Sequence, residues 1–408
     1  MELKKYKIGD LVQVTRGASL GGEFYATQGN YVRLTCGNFD YRNNCFKENQ
    51  SKDNIYYTGG FKEEFLLEKG DIITPLTEQA IGLLGSTARI PESGKYIQSQ
   101  DIAKIDCNES LLDKDFAFYL ISSAFVKQQL SAAAQQTKIR HTSPDKIKEC
   151  TVWIPSLDIQ KRIGRILTDI DNKIAINRQI NDNLAAMAKQ LYDYWFVQFD
   201  FPNEDGKPYK SSGGAMVWNE KLKREIPQGW NDCKIKDFMR IFTGKKDVSK
   251  AVPGNYKFFS CAPEPISSNE YIYDGYAVLV SGNGSYTGRV GFYKGKFDLY
   301  QRTYACVLDE DEHNISFFYY TLRYLFQPIY SGGKHGSSIP YIVLGDLADF
   351  RFAFNETICT KFVDATKPMF DEQLLRQKEI EALTKQRDEL LPLLMNGQAS
   401  VNYHLSDD

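Results

Sequence analysis

The longest regular pattern of apolar residues in this chain of 408 residues runs from Pro155 to Phe196. Apolar side chains recur there mostly every three or four positions, which is the spacing of a narrow stripe along an α-helix that packs against a partner helix. The stripe consists of Ile159, Ile163, Ile166, Ile170, Ile174, Ile180, Leu184, Met187, Leu191 and Tyr194. At ~1.5 Å per residue the helix would be roughly 60 Å long, which is unusual for a helix without a partner. We therefore predict a long helix, with Pro155 in its first turn, that pairs with a second helix.

The pattern recurs 200 residues later, so the predicted partner helix lies in the same chain, and Asp171, for example, aligns with Asp371. The second helix is predicted from about Ile358 to Asn396, and Gly397 is placed to end it. Because the two helices leave their preceding segments at equivalent points, we expect them to pack antiparallel in a pseudo-twofold arrangement.

The predicted seam between the helices combines apolar residues with one polar position in each helix. Asn177 and Gln377 interrupt the two stripes at equivalent places. We expect them to meet as a buried polar pair, which would fix the register of the helices at some cost in stability. The seam residues are Ile163, Ile170, Asn177, Leu184, Leu191, Val363, Phe370, Gln377, Leu383 and Leu390.

Residues 1–154 precede the first long helix and alternate short β-strands with turns. One helix is predicted from Asp115 to about Ala134, where apolar residues are spaced for burial on one face. The predicted strands are Leu11–Thr15, Tyr31–Thr35, Asp71–Thr74 and Val152–Ile154. This segment is therefore expected to form a mixed α+β domain.

Residues 227–355 repeat the plan of the first domain but keep few of its side chains. Lys7–Asp10 (KIGD) aligns with Lys234–Asp237 (KIKD) at an offset of 227, whereas Thr137–Ile139 aligns with Ser337–Ile339 at an offset of 200. The offset falls from 227 to 200, so the second domain is about 27 residues shorter. A duplicated scaffold with two different faces is suited to recognising two different things.

Three further segments complete the predicted order of domains. Residues 155–200 hold the first long helix, and residues 356–408 hold the second helix and a tail. Residues 201–226 are rich in Pro, Gly, Ser and charge, which is typical of a linker.

Composition narrows the functional classes. No apolar stretch reaches the ~20 residues of a membrane span or the length of a signal peptide, so we expect a cytoplasmic protein without a membrane partner. The 8 cysteines form no CxxC pair, which favours reduced thiols over metal or disulfide chemistry. The formal net charge of −2 means that nucleic-acid binding would require a local concentration of basic residues.

Catalytic motifs are weak throughout the chain. GNGSYTG at Gly282 lacks the third glycine of a dinucleotide-binding loop, and GGKHGSS at Gly332 lacks the order of a phosphate-binding loop. The four histidines are scattered, so their spacing assembles no nucleophile, base or metal cluster. We expect a chain without catalytic residues, metal or cofactor.

Several motifs carry a resemblance to a known family. They are RDELLPLLMNGQ (Arg387–Gln398), LYDYWFVQFDFPNEDGKP (Leu191–Pro208) and IPQGW (Ile226–Trp230), together with the order domain, helix, domain, helix. Over essentially its full length the chain resembles the specificity subunit of a type I restriction-modification enzyme. The N-terminal residues lack the IPQGW motif found at the start of the second domain, which leaves the exact start of the first strand open.

The resemblance implies a fold, a function and partners. It implies two α+β target-recognition domains joined by two long antiparallel coiled-coil helices. Each domain would read half of a bipartite site in double-stranded DNA, and the helices would dock methyltransferase (modification) subunits, two of them, alongside restriction or translocase subunits. The chain itself would not be an enzyme.

Loops that join glycines or small hydroxyls to Arg, Lys, Asn or Gln are the candidate DNA contacts. Such loops suit phosphates through their backbone and base edges through paired hydrogen bonds. In the first domain the candidates are Arg16, Ser19, Arg33, Arg42, Asn43, Gln136, Lys138 and Arg140. In the second they are Lys245, Lys246, Asn283, Ser285, Tyr286, Arg289, Lys334, His335 and Ser337. The resemblance places Gln136–Arg140 and Gly333–Ser338 at equivalent positions.

A second class of function stays open at this point. A coiled-coil scaffold that joins two protein-binding domains would show the same helices and the same internal repeat. Sequence-selective, salt-sensitive DNA binding would separate the two hypotheses, because only the first predicts it. A standalone restriction enzyme is a lesser alternative, which would cut or methylate DNA alone.

Overall fold

The computed structural model describes residues 2–50, 52–78, 82–133, 140–309, 312–336 and 338–399. The chain folds into two compact units, one made of Met1–Asn177 with Glu379–Asp408 and the other of Arg178–Lys378. Each unit therefore combines a mixed α/β part with one part of each long helix.

The first unit is built from short strands and helices that precede the first long helix. Its strands are Lys4–Lys7 (β1), Val12–Arg16 (β2), Tyr25–Ala26 (β3), Tyr31–Arg33 (β4), Phe39–Asp40 (β5), Cys45–Phe46 (β6), Tyr56–Tyr57 (β7), Ile72–Pro75 (β8), Thr77–Glu78 (β9), Ala88–Arg89 (β10), Tyr96–Ile97 (β11), Ile102–Cys107 (β12), Arg140–His141 (β13) and Thr151–Ile154 (β14). Its helices are Ile8–Leu11 (α1), Lys114–Ile121 (α2), Ala124–Ala133 (α3) and Pro144–Glu149 (α4), and Leu157–Tyr192 is the first long helix (α5).

The helix predicted between Asp115 and Ala134 is instead two helices, α2 and α3. The hydroxyl of Ser123 accepts the N–H of Val126 at 3.4 Å, which starts the second helix after a break. Ala134 lies outside the described residues.

The second unit contains longer strands. They are Met216–Asn219 (β15), Arg224–Pro227 (β16), Asn231–Lys234 (β17), Arg240–Thr243 (β18), Tyr256–Phe259 (β19), Ile266–Ser268 (β20), Tyr273–Ser281 (β21), Val290–Leu299 (β22), Thr303–Val307 (β23) and Arg351–Phe354 (β24). The helices are Ile315–Thr321 (α6), Gln327–Tyr330 (α7), Leu344–Ala348 (α8) and the second long helix Glu356–Met395 (α9), with single π-helical turns at Asp193–Val197 and Leu322–Phe326.

Both units contain the same four-stranded antiparallel sheet. Its order is β10–β8–β12–β2 in the first unit and β22–β21–β23–β18 in the second. The units differ in what surrounds this sheet. The first has a separate sheet of order β11–β4–β7–β3, whereas the second adds β19, parallel to β22, and then β20 at the edge of the shared sheet. The predicted repeat of one plan with two different surfaces is confirmed.

An antiparallel strand pair joins the start of each domain to its end. β1 pairs with β14, and β17 pairs with β24, in each case just before a long helix. After the first strand of each pair, the backbone N–H of Lys7 donates to Asp10 at 3.0 Å and that of Lys234 donates to Asp237 at 2.7 Å. The aligned KIGD and KIKD sequences therefore form the same turn.

Gly17 and Gly244 occupy equivalent places after β2 and β18. A Cβ at Gly17 would lie 2.3 Å from the carbonyl oxygen of Gln98, and one at Gly244 would lie 1.5 Å from that of Leu299. Close approach of the neighbouring backbone therefore requires glycine at both positions.

The two long helices run antiparallel within each unit. In the first unit Asn177 donates to Glu379 at 3.0 Å and Arg387 donates to Asp171 at 2.9 Å, so the residue number rises along one helix as it falls along the other. In the second unit, Gln373 donates to the carbonyl oxygen of Asn181 at 3.2 Å, and Trp195 packs on Phe362.

The ends of the long helices agree closely with the predicted ends. α5 begins at Leu157 rather than Pro155, because the carbonyl of Ser156 accepts the first helical N–H, that of Gln160, at 3.0 Å. α9 continues through Pro368 and ends before Gly397, whose φ of +71° is the left-handed conformation that glycine adopts readily. In the part of the chain that the structure describes, no helix has the length and apolarity needed to cross a membrane.

Most of the seam residues are buried or half-buried. Ile163, Asn177, Val363 and Phe370 are buried, and Ile170, Leu184, Leu191, Leu383 and Leu390 are half-buried. Gln377 is exposed, so the expectation of a second buried polar position is wrong. Met187 and Tyr194 are 54% and 37% exposed and also lie off the covered face. A straight helix drifts ~20° per heptad relative to a strict seven-residue repeat, so a sequence stripe extends beyond the face that is covered.

The predicted linker, residues 201–226, is folded onto the second unit. β15 and β16 form a hairpin within it. Phe201 is 4% exposed and stacks on Trp230 with ring centroids 5.3 Å apart, and Ile226 is 1% exposed. The apolar residues among its Gly, Pro and Ser residues anchor the segment in the core, which its average composition does not reveal.

Arg387 joins the two long helices of the first unit through charge that is mostly buried. Its side chain is 8% exposed and pairs with Asp171, which also accepts the Tyr119 hydroxyl at 2.7 Å. We expect Arg387→Met to lower the free energy of unfolding by about 3 kcal/mol, because it leaves a carboxylate without its cation. Lys385→Ala removes an exposed cation 3.9 Å from Glu389 and should cost under about 1 kcal/mol. Urea unfolding of the full chain measures both losses, and equal losses would contradict this role for Arg387.

Candidate nucleic-acid interface

Both units place two loops against each other where a central strand of the shared sheet ends. In the first unit, the N–H of Thr142 donates to the carbonyl of Leu76, just after β8, at 2.8 Å. In the second unit, the N–H of Ile342 donates to the carbonyl of Gly282, just after β21, at 2.9 Å. The donors are 200 positions apart in sequence, so the repeat places the same backbone bond in each unit.

The neighbouring residues extend this pairing. Thr77 pairs antiparallel with His141 in the first unit, and Asn283 pairs antiparallel with Tyr341 in the second. These pairs lie next to Gln136–Arg140 and Gly333–Ser338, whose equivalence stays a prediction because residues 134–139 and 337 lie outside the described residues. The frame of backbone bonds is shared, while the side chains on it differ.

In the second unit this pairing brings together two loops that the sequence analysis selected separately. The N–H of Gly284 and the hydroxyl of Thr287 both donate to the carbonyl of Pro340 at 2.9 Å. The N–H of Gly332 donates to the carbonyl of Thr287 at 3.2 Å. Gly336 has a φ of +82°, and a Cβ there would lie 2.3 Å from the carbonyl oxygen of Ile339. Residues 282–288 therefore form one surface with residues 332–336 and 338–341.

Four of the candidate DNA-contacting residues on this surface are exposed or half-buried. Ser285 and Lys334 are exposed, and Tyr286 is 48% exposed. The Lys334 ammonium donates to the Tyr330 hydroxyl at 3.2 Å and lies over that ring. Asn283 is half-buried beside Tyr341. Cation, hydroxyl and amide are the groups that contact phosphates and base edges.

Two other candidates in the second unit are held by protein partners. Arg289 donates to the carbonyls of Ala262 at 2.6 Å and Pro263 at 3.3 Å, and burial lowers its pKa. The pKa of Lys246 is raised by its hydrogen bond to Glu270 and by Asp298, whose side chain is 1% exposed. These two cations shape the loops rather than present charge, whereas the adjacent Lys245 is exposed.

Arg33 is the clearest correction in the first unit. It is 7% exposed, its guanidinium lies 3.8 Å from the centroid of the Tyr25 ring, and it donates to the carbonyl of Asn54 at 3.1 and 3.3 Å. A buried guanidinium with these partners belongs to the core of the domain, so its expected contact with DNA is wrong.

The other candidates of the first unit lie nearer the surface. Arg16 is exposed and donates to the carbonyl of Gln100 at 2.7 Å, and Ser19 and Arg42 are exposed. The amide of Asn43 donates to Asp40 at 2.7 Å, which holds the turn. Arg140 lies 3.5 Å from Glu78 and is 41% exposed. Gln136, Lys138 and Ser337 lie outside the described residues.

The structure adds residues that the sequence analysis missed. The carbonyl of Arg302 accepts the N–H of Gly282 at 2.9 Å, so this exposed arginine lies beside the paired loops. Tyr341, 38% exposed, bridges Asn283 across 58 positions of sequence (341 − 283). Only the order of strands reveals these neighbours, because no local motif marks either residue. Exposed cations such as Lys245, Arg302 and Lys334 supply local positive charge on a chain of net charge −2.

Thiol and metal chemistry have little support in the described residues. All 8 cysteines lie in the described part of the chain and are free thiols. Burial raises the pKa of Cys36 and Cys150 to about 11 and that of Cys107 to about 12, so these thiols stay protonated at neutral pH. Within the same residues, no three His, Cys, Asp or Glu side chains are grouped to hold a metal ion.

Comparison with known proteins identifies the family. The model of the type I restriction modification DNA specificity domain matches residues 1–186 and 227–354, which is more than half of the chain. The type I restriction enzyme MjaIX specificity subunit of Methanocaldococcus jannaschii is 24% identical over 355 residues, 78% of each chain. The EcoDI specificity subunit of Escherichia coli is 32% identical over 180 residues, 43% of this chain and 39% of that one.

A solved structure shows the same fold. The crystal structure of the type I restriction-modification S subunit from M. genitalium has a TM-score of 0.61 at 16% identity, covering 97% of this chain and 96% of that chain. The chain therefore belongs to the family of type I restriction-modification DNA specificity proteins, and it is a specificity subunit, the component that recognises the DNA target and does not itself catalyse the reaction.

Proposed function

We propose that this chain reads an asymmetric DNA target in two halves and recruits methyltransferase and restriction subunits to it. Residues 1–154 and 227–355 are the two target-recognition domains in this proposal. Each domain reads one half of the target through the loops that pair at the end of its central strand.

One observation carries the proposal. The two units share the backbone bonds that pair these loops, yet they place different side chains at equivalent positions. Thr77 and His141 in the first unit correspond to Asn283 and Tyr341 in the second. A common docking frame with different hydrogen-bonding groups is suited to two DNA half-sites of different sequence.

The target should therefore be interrupted. If each domain reads ~3 to 5 base pairs and the domains reach successive major grooves with centres ~10 base pairs apart, a gap of roughly 5 to 8 base pairs separates the halves. The uncontacted gap follows from the size of each reading surface relative to one turn of DNA.

The long helices are the proposed docking surface for the partner subunits. Ile176 and Met187 on α5 and Leu375 and Leu393 on α9 are 52%, 54%, 57% and 41% exposed. Exposed apolar side chains on helices are typical of protein interaction sites. Because the helices and the domains are both duplicated, two modification subunits fit the repeat. The scaffold hypothesis shares these helices, but it does not account for membership in a DNA specificity family.

Different residues of the second unit should contribute to overall DNA affinity and to sequence choice, so that the two effects can be measured separately. We expect Lys334→Ala to weaken binding to all sequences and to reduce the slope of log affinity against log salt by about 1, because an ammonium at this exposed position contacts phosphate. Asn283→Ala should instead cost about 1 to 3 kcal/mol for the preferred base at one position. Mobility shifts at several salt concentrations, with genomic fragments that contain the target and others that lack it, measure both effects.

Lys210→Ala is the matched control, because it removes an exposed lysine in the segment 201–226. It should leave affinity and sequence choice unchanged. Equal losses for Lys210→Ala and Lys334→Ala would show that only total charge matters and would contradict the assigned surface.

The bipartite target is tested by mapping methylated motifs in cells that carry this chain with its partner subunits. We expect a motif of two unlike halves with an unspecified gap. Exchanging residues 227–355 for the matching segment of another family member should change one half and leave the other half unchanged. A continuous motif, or a change in both halves, would contradict the proposal.

A further inference from the structure

Three side chains in the second unit share one face of a small three-stranded arrangement. Tyr341 pairs antiparallel with Asn283 on one side and with His335 on the other. The His335 N–H donates to the carbonyl of Tyr341 at 3.3 Å, and the Tyr341 N–H donates back at 3.1 Å. Directly paired residues in antiparallel strands carry their side chains on the same face, about 5 Å apart. The order amide, phenol, imidazole therefore runs across the strands as a row.

Contacts with the protein fix the row in place. The rings of His335 and Tyr341 stack with centroids 5.3 Å apart and an interplanar angle of 30°. His335 Nε2 lies 3.1 Å from Asp346 Oδ2, and the same oxygen accepts the backbone N–H of Val343 at 2.9 Å. Asp346 is only 15% exposed, whereas the His335 side chain is 40% exposed and Tyr341 is 38% exposed. The anchoring group is thus covered while the two rings reach solvent.

We propose that Asn283, Tyr341 and His335 form a base-reading row, and that Asp346 is the positioning residue for His335. This proposal rests on the function proposed above and names the groups within the second domain that make the sequence choice. Three side chains about 5 Å apart span about 10 Å. Bases of one strand of B-DNA rise ~3.4 Å each, so the row matches about three consecutive base pairs.

The hydrogen-bonding groups of Asn283 and His335 determine which bases the row can recognise. The carboxamide of Asn283 offers a donor and an acceptor together, which matches the N6 and N7 edge of adenine in the major groove. When the ring of His335 is neutral and its Nε2–H donates to the Asp346 carboxylate, Nδ1 is left as an acceptor. An acceptor at this end of the row favours a base with an exocyclic amine in the major groove, adenine or cytosine.

The first unit carries two positions of the row with other groups. His141 takes the place of Tyr341, and Thr77 takes the place of Asn283. The Thr77 hydroxyl donates to Asp101 at 3.0 Å, and Thr77 is 7% exposed, so the exposed His141 is the reading group of that unit. These two positions are therefore repeated in the fold, and each domain fills them differently.

Selection of DNA from a randomised library by the full chain tests the row. The wild-type chain defines the preferred base at each position. His335→Ala and Asp346→Ala should both relax the same single position by about tenfold, since each removes one partner of the same reading group. Asp346→Asn should keep that preference, because an amide oxygen accepts the same two hydrogen bonds. Asn283→Ala should relax a position within three base pairs of the first.

Lys334→Ala is the matched control beside His335 and should weaken binding without changing any preference. Thermal unfolding identifies a variant that fails to fold, and in that case His335→Ala and Asn283→Ala still decide the question. A wild-type chain without sequence preference would overturn the proposed function as a whole. A selective wild-type chain whose preferences survive His335→Ala and Asn283→Ala, or change at distant positions, would overturn the row alone.

Discussion

The pairing of the first strand of each domain with its last strand is the constraint on which the rest of the molecule depends. β1 on β14 and β17 on β24 bring the two ends of each domain together immediately before a long helix. The register is the same in both, because Lys7 lies opposite Thr151 and Lys234 lies opposite Arg351. The direction in which each helix leaves its domain is therefore set by eight residues of backbone hydrogen bonding, whatever lies between the two strands.

Some cations of this protein pair with groups inside the fold, whereas others are exposed to solvent. Four cations neutralise charged groups or donate hydrogen bonds within the fold, and removing any of them would lower the stability of the folded state. They are Arg33, Lys246, Arg289 and Arg387. Neighbouring cations such as Lys245 and Lys334 remain at the surface. A net charge of −2 therefore says little about the local field at the loops, because the sum includes cations that solvent scarcely reaches.

The sequence predicted the helices, the repeat and the shared turns, because each of these depends on local spacing or on alignment of the chain with itself. It did not predict which of the adjacent lysines Lys245 and Lys246 is exposed, since Asp298, which pairs with Lys246, lies more than fifty positions away in sequence. It also missed Tyr341, because pairing with Asn283 is a property of strand order. Met187 and Tyr194 were placed in the apolar stripe by periodicity alone, and the drift of a straight helix exposes them.

Because the first and last strands of each domain pair with each other, insertions between them should be tolerated during evolution. A segment inserted between two paired strands lengthens a loop whose ends are already fixed, and the entropy of closing a loop grows by only about 0.6 kcal/mol for each doubling of its length. The separate sheet of the first unit and the two added edge strands of the second both lie, in sequence, between such paired strands. Recognition surfaces can thus diverge between the two halves of one gene, while the helices that hold them keep their register and their exposed faces.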